Sequence, residues 1–223
     1  MNQTWTAVIP IKAWATSKTR LDGSADARAE FARAAALDTL DLVAASRLIG
    51  RIVVVSAEPE IAELTATIGS AVVLDEPAGE TSDQLNNAIR AARDWAIRNA
   101  PTSPVVVIPT DLAALTTPIL EEALGQLAWL DQAHVPDHRG RGTTLAAATR
   151  PSLLVPCYGV GSQRAHAAAG STPIVGVAPG VRLDVDNIED LADARSLGLG
   201  LRTRATRAAD GIEESRPGSA CPG

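Results

Sequence analysis

The strongest constraint on the fold is an alternation of periods. Short β-branched runs are separated by longer Ala- and Leu-rich segments with helical spacing. Such an order of elements is the pattern of βαβ units around a mostly parallel sheet, whose strands are buried on both faces. Strands are expected near Thr6–Ile11, Arg51–Ser56, Ala71–Leu74, Val105–Ile108, Thr143–Ala148 and Ile174–Val177, with a shorter one near Arg182–Val185. Helices are expected near Ala25–Ala45, Pro59–Ile68, Ser82–Asn99, Pro118–Leu130, Ser162–Ala169 and Ile188–Leu197, several of them opened by Pro, Ser or Thr. At 223 residues the default is one α/β domain, residues 1–200, with a single core. Residues 201–223, which from Arg202 read "RTRATRAADGIEESRPGSACPG", lose the periodicity and are expected to form a disordered C-terminal tail.

Apolar residues make up 46% of the chain and aromatics only 3%, so the core must be built from Ala, Val, Leu and Ile. With 20 Lys and Arg against 26 Asp and Glu, the net charge of −6 argues against a broad nucleic-acid or anionic-membrane surface, so any anionic partner must be met locally. Cys157 and Cys221 lie far apart, indicating neither a disulfide framework nor a zinc cluster. The first residues lack a basic leader, and no run of about 18 apolar residues occurs, so a soluble, cytoplasmic protein is expected.

Three stretches carry chemistry. In "TAVIPIKAWATSKTRLDG", residues 6 to 23, an apolar strand leads into Lys12, Lys18 and Arg20. Loops at the carboxyl ends of parallel strands form the ligand crevice of such sheets, and clustered cations there suit a polyphosphate; a solvated basic loop is the plainer account. In "VVVIPTDLAAL", residues 105 to 115, a strand runs into Asp111, which either holds a hard cation such as Mg²⁺ or caps a turn. In "VRLDVDNIEDLADA", residues 181 to 194, Asp184 and Asp186 alternate along an extended segment and so point the same way, about 7 Å apart. Either a cation relieves their repulsion, or Asp186 or Asn187 caps the following helix. Finally, "RGRGTTLAAATR" and "CYGVGSQRAHAAAG" place Thr143, Thr144, Gly159, Gly161 and Ser162 at turns ahead of a strand and a helix. They form either an anion pocket or ordinary turn and cap residues. His134, His138 and His166 have no metal-ligand spacing and read as surface or loop residues. The absence of G-x-G-x-x-G, P-loop and nucleophile-elbow patterns weakens dinucleotide, P-loop and covalent readings.

The segments "VIPIKAWATSKTRL", "IPTDLAAL", "GTTLAAA", "YGVGS" and "LDVDNIEDLADA" occur in an order and at intervals that resemble the guanylyltransferases of coenzyme F-420 biosynthesis, the CofC/FbiD family, from about Trp5 to Leu199. The resemblance implies a single-domain, Rossmann-like nucleotidyltransferase fold with a mixed, mostly parallel seven-stranded sheet flanked by helices. It implies transfer of GMP from GTP to phosphoenolpyruvate or 2-phospho-L-lactate with release of pyrophosphate. It further implies that Asp111, Asp184 and Asp186 hold Mg²⁺, that Thr144, Gly159 and Ser162 bind the acceptor, and that Lys12, Lys18 and Arg20 meet the GTP phosphates with Asp111 in the catalytic group. Asn86, in "QLNNAI", matches the family's nucleotide loop, although Gln84 stands where that loop commonly has glycine. A downstream transferase that accepts the labile product is the implied partner. The alternatives are another nucleotidyltransferase of the superfamily, such as one that attaches GMP or CMP to molybdopterin, and a non-catalytic nucleotide-binding subunit. The first commonly opens with L-x-G-G-x-S-x-R-M-G-x-D-K, where this chain has "PIKAWATSKTRL"; the second is expected to lack a metal carboxylate.

Overall fold

The computed structural model describes residues 4–14, 21, 24–78 and 83–209. Its centre is a seven-stranded sheet in the order β3-β2-β1-β4-β6-β5-β7. The strands are β1 (Trp5–Ile11), β2 (Ile49–Ser56), β3 (Ala71–Asp75), β4 (Val105–Val107), β5 (Gln132–Pro136), β6 (Thr143–Ala148) and β7 (Thr172–Pro173). Strand β1 pairs in parallel with β2 and β4, and β2 in parallel with β3. Strand β6 runs antiparallel to both β4 and β5, so the sheet is mixed as expected.

Every residue of β1 is buried because helices cover both faces of the sheet. Its alternate residues divide accordingly. Ala7, Ile9 and Ile11 pack with Leu40 and Val43 of α1 (Ala25–Ala44) and with Leu120 and Leu124 of α4 (Thr117–Leu127). Val8 faces the other way, onto Ala88, Ile89 and Ala92 of α3 (Gln84–Asn99). The small α2 (Glu60–Thr65) precedes β3, and α5 (Ser162–Ala168) precedes β7. A third apolar cluster joins Phe31 of α1 to Leu183, Val185 and to Leu191 of α7 (Ile188–Leu197). Among the described residues no helix is long and apolar enough to cross a membrane.

Four expectations need correction. First, β5 carries no apolar run long enough to announce it, yet it is a strand between β6 and β7. Its His134 is fully buried, with Nδ1 3.0 Å from the Ser171 hydroxyl. His166 is also buried, so only His138 of the three histidines keeps substantial exposure. Second, no strand forms at Ile174–Val177: the two-residue β7 ends just before it, and Ile174 N donates to the His134 carbonyl. Third, Arg182–Val185 is not a sheet strand: α6 (Pro179–Arg182) ends there, and the extended residues that follow are held by a bond from Val185 N to the Asp111 carbonyl at 3.0 Å. A side chain at Gly180 would stand 2.6 Å from the Ala114 carbonyl oxygen, so only glycine lets α6 sit this close to the segment after β4. Fourth, the domain continues past residue 200. Thr203 is fully buried and donates from both its N–H and its hydroxyl to Asp38 Oδ2 at 2.8 Å, and Ala209 is buried too. This segment is fixed by a carboxylate on α1 rather than by an apolar stripe, so periodicity does not reveal it. The remaining residues, 210–223, lie outside the described residues.

Candidate active site

Register explains why distant segments meet. Val107 of β4 pairs with Ala146 of the antiparallel β6, so the start of β6 projects past the carboxyl end of β4. Strand β5 ends opposite Thr143. The residue after β5, Asp137, the start of β6 and the turn after β4 therefore share one edge of the sheet, and the Val185–Asp111 bond brings the segment before α7 to the same edge. A cavity of about 630 Å³ opens there. Its lining falls into two chemical groups: an acidic wall of Asp111, Asp137, Asp184 and Asp186, and a second wall of Arg141, Thr143, Tyr158, Gly159, Ser162 and Arg164, the two adjoining where Asp137 accepts from Arg141 N.

The acidic wall is electrostatically uncomfortable. Burial first, and then the charge of Asp111, push the Asp184 carboxyl up to about 6, with Asp186 and Asp137 adding to the shift. Its Oδ1 is buried and accepts no hydrogen bond. His138 Nδ1 stands 3.5 Å from that atom, too far and too poorly aligned to serve as a donor. A buried carboxylate oxygen without a donor is stabilised by a cation or a proton. Asp186 is not the helix cap: Asn187 caps α7, its Oδ1 accepting from Asp190 N at 2.9 Å, while Asp190 Oδ2 accepts from Asp186 N at 3.1 Å. Arg139 in turn pairs with Asp190. The cap and its ion pair fix the backbone from which Asp184 and Asp186 reach the cavity.

Carboxylate oxygens are the donors Mg²⁺ prefers, and this ion keeps several waters and needs only one or two protein carboxylates. Asp111, Asp184 and Asp186 fit that demand. Among the described residues no three His, Cys, Asp or Glu side chains stand close enough to hold an ion by themselves.

In the second wall the Tyr158 backbone and hydroxyl and the Thr143 hydroxyl are hydrogen-bonded. Asn86 Oδ1 accepts from Tyr158 N at 2.8 Å and its Nδ2 donates to the Tyr158 carbonyl at 2.9 Å and to Asp83 Oδ1 at 2.6 Å. Asn86, expected at the nucleotide, thus clamps the 158 loop onto α3, and its amide is engaged on both sides. Thr144, expected in the acceptor pocket, is buried, and its hydroxyl donates to the Val135 carbonyl at 3.3 Å. Because successive strand residues face opposite ways, Thr143 lines the cavity instead. Gly159 and Ser162 line it as expected. Lys12 is exposed just beyond β1 and is not among the lining residues; Lys18 and Arg20 lie outside the described residues.

Sequence reasoning missed Asp137, Arg141 and Arg164. Asp137 Oδ1 accepts from Arg141 N at 2.8 Å, and a Cβ on Gly142 would meet its Oδ2 at 2.7 Å, so that tight turn is closed around the carboxylate. The turn was invisible because β5 was. Arg164, two residues after Ser162, offered a signal in its position next to an expected anion pocket.

A mixed sheet of this order with a cavity across its strand ends is the nucleotidyltransferase class. A solved protein of Desulfovibrio desulfuricans G20 assigned to the nucleotide-diphospho-sugar transferases superposes with a TM-score of 0.64 at 17% identity, over 94% of each chain. A 4-diphosphocytidyl-2C-methyl-D-erythritol synthase superposes with a TM-score of 0.58 at 13% identity, over 87% of this chain and 99% of its own. At such identities the likeness is one of fold. The sequence goes further. The CofC-like guanylyl transferase family matches residues 5–198. The phosphoenolpyruvate guanylyltransferase of Streptomyces scabiei is 37% identical over 92% of this chain and 96% of its own. That of Streptosporangium roseum is 38% identical over 90% and 89%. The chain belongs to the CofC-like guanylyl transferase family, and it is a guanylyltransferase.

Proposed function

We propose that the chain transfers GMP from GTP to phosphoenolpyruvate, releasing pyrophosphate, and that the product serves coenzyme F-420 biosynthesis. One observation carries the reading: four carboxylates, one with a buried oxygen that accepts no hydrogen bond, line the same cavity as hydroxyls and arginines. The curated relatives that share this chain nearly end to end act on phosphoenolpyruvate by name, which supports that acceptor over 2-phospho-L-lactate.

In the reaction an acceptor phosphate oxygen attacks the α-phosphorus of GTP, the bond to the β-phosphate breaks, and pyrophosphate leaves in line. An acceptor phosphate with a second pKa of about 6 is already ionised at neutral pH, so no general base is required. Two polyanions must approach, and unit charges about 4 Å apart repel by roughly 4 kcal/mol at an effective dielectric near 20. Arg141 and Arg164, which line the cavity, would offset that repulsion for the acceptor, and Lys12, Lys18 and Arg20 would do so for the triphosphate. Gly159 and Ser162 line the acceptor side, and Thr144 lies beneath it. Asp111, Asp184 and Asp186 would hold Mg²⁺ with water completing its shell, and the ion would supply positive charge to the transferring phosphoryl group.

The experiment is a pyrophosphate-release assay pairing GTP, CTP and ATP with phosphoenolpyruvate, 2-phospho-L-lactate and 3-phosphoglycerate, with and without the transferase that consumes the product. Release with GTP and phosphoenolpyruvate that exceeds every other pair supports the reading. Release with CTP, or with another acceptor in preference, refutes it.

A further inference from the structure

We propose that His166 is a positioning residue of the acceptor pocket: its ring fixes the orientation of the Thr143 hydroxyl, through which it acts on the acceptor. The identity of the acceptor rests on the guanylyl-transfer reading above; the roles of the two residues rest on their hydrogen bonds.

His166 is 1% exposed on α5, and three chain segments meet at its ring. Cys157 N lies 3.2 Å from Nε2, while Nδ1 lies 3.0 Å from the Ser162 carbonyl oxygen and 3.1 Å from Thr143 Oγ1. A backbone N–H can only donate, so Nε2 must present its lone pair. A carbonyl can only accept, so Nδ1 must carry the proton. Two independent contacts thus demand the same neutral tautomer, assigned from the partners rather than from a visible hydrogen. The Nδ1 proton is shared between Ser162 O and Thr143 Oγ1. Thr143 therefore accepts on its histidine side, and its own proton is left to point elsewhere. Thr143 lines the cavity beside Ser162, where an anionic oxygen is the natural recipient.

The ring has little freedom to do otherwise. Its centroid lies 5.5 Å from that of His134, stacked, and 5.1 Å from that of Tyr158, edge-on. Burial, with His134 adding a little, drives the His166 pKa down to about 4 against the opposing pull of the Ser162 carbonyl. The ring stays neutral at working pH, so the hydroxyl keeps one orientation. Protonation would set an Nε2–H against the Cys157 N–H. One buried side chain thereby ties the orientation of Thr143 to the position of Ser162.

The test combines kinetics with a spectroscopic readout. Thr143→Val, close to isosteric but without the hydroxyl, is expected to raise the acceptor KM about 10-fold or more while the GTP KM moves by less than about twofold. Thr143→Ser is expected to restore it. His166→Asn, whose amide can take the place of the Nδ1 donor, should keep the acceptor KM near that of the native enzyme, whereas His166→Leu should raise it. The double variant Thr143→Val, His166→Leu should be no worse than the poorer single one. Independently of any activity, ¹⁵N shifts of labelled histidine in the intact chain should show His166 neutral and protonated on Nδ1. An Nε2-protonated ring, additive effects, or equal rises in both KM values would overturn the proposal. If His166→Leu does not fold, Thr143→Val and the ¹⁵N signature still decide it. Native enzyme that is inactive with every acceptor, yet shows the Nδ1-protonated ring, refutes the guanylyl-transfer reading and sustains the ring assignment.

Discussion

The two walls of the cavity differ in how far the protein satisfies its own polar groups. On the side of Tyr158, Thr143 and Ser162, donors meet acceptors: Asn86 bridges the 158 loop in both directions, and His166 takes the Cys157 N–H on one nitrogen while giving its proton to Ser162 and Thr143 on the other. Among the carboxylates, burial and then the charges of Asp111, Asp186 and Asp137 push the Asp184 carboxyl up, and its Oδ1 is left buried without a donor. A satisfied wall is rigid before substrate arrives and supplies shape and fixed hydrogen bonds. An unsatisfied one is complete only when a positive charge enters. On the proposed function, the first wall would recognise the acceptor and the second would handle the triphosphate's charge.

The largest effect that could break this contrast is loss of a carboxylate. Asp184→Asn or Asp111→Asn is expected to lower the rate of pyrophosphate release by on the order of 10²–10³-fold, the worth of several kcal/mol of charge stabilisation. Unchanged turnover in the assay would remove the cation from the acidic wall. Next comes Ser162→Ala, which removes a hydroxyl from the satisfied wall. It should raise the acceptor KM about 10-fold with a smaller change for GTP, read from initial rates at varied acceptor and nucleotide. The reverse pattern would exchange the roles of the two walls. Asn86→Ala should act on stability before chemistry: three partly buried hydrogen bonds lose a partner, at a cost of roughly 1–3 kcal/mol. Melting should fall by about 2–4 °C per kcal/mol in a chain of this size. A thermal scan that shows no change would mean that the clamp is not needed.

The smallest effect is the most specific to the acidic wall. Asp184 titrates higher in the folded chain than in the unfolded one, so the folded state binds more protons as pH rises from the ordinary carboxyl range to about 6. The stability contributed by this group is therefore fully present below the unfolded pKa and is lost as pH rises through the folded one. In chelator, Asp184→Asn should melt above the native chain at pH 7, and the gap should close by about pH 4. Mg²⁺ added at pH 7 should narrow it by stabilising the native chain alone. A gap that does not vary with pH would mean that Asp184 is not held at a raised pKa.

Much of the architecture was legible because burial on two faces leaves a mark that strands and helices cannot hide. The runs at Thr6–Ile11, Arg51–Ser56 and Thr143–Ala148 are strands within a residue or two, and α7 spans Ile188–Leu197 as its cap and period indicate. What escaped notice was held by polar contacts. Strand β5 carries Gln132, His134 and Pro136 and is a strand because β6 and β7 flank it; residues 201–209 stay in the domain because Asp38 accepts two bonds from Thr203. The site divides the same way. Asp111, Asp184, Asp186, Gly159 and Ser162 could be picked out by type and spacing, and all line the cavity. Asp137, Arg141 and Arg164 could not, since the turn that delivers the first two depends on β5.

By itself the sequence determined the α/β class, the residues able to carry charge, and, through motifs in order along most of the chain, the family. Only the tertiary structure decided which of those residues share a wall, that Thr143 rather than Thr144 faces the cavity, and that Asn86 and His166 are spent on holding loops together. The reason is that side-chain chemistry and local period are properties of short stretches of chain. Strand register, the sidedness of a paired strand and the tautomer of a buried ring are fixed by partners tens of residues away, which no short stretch contains.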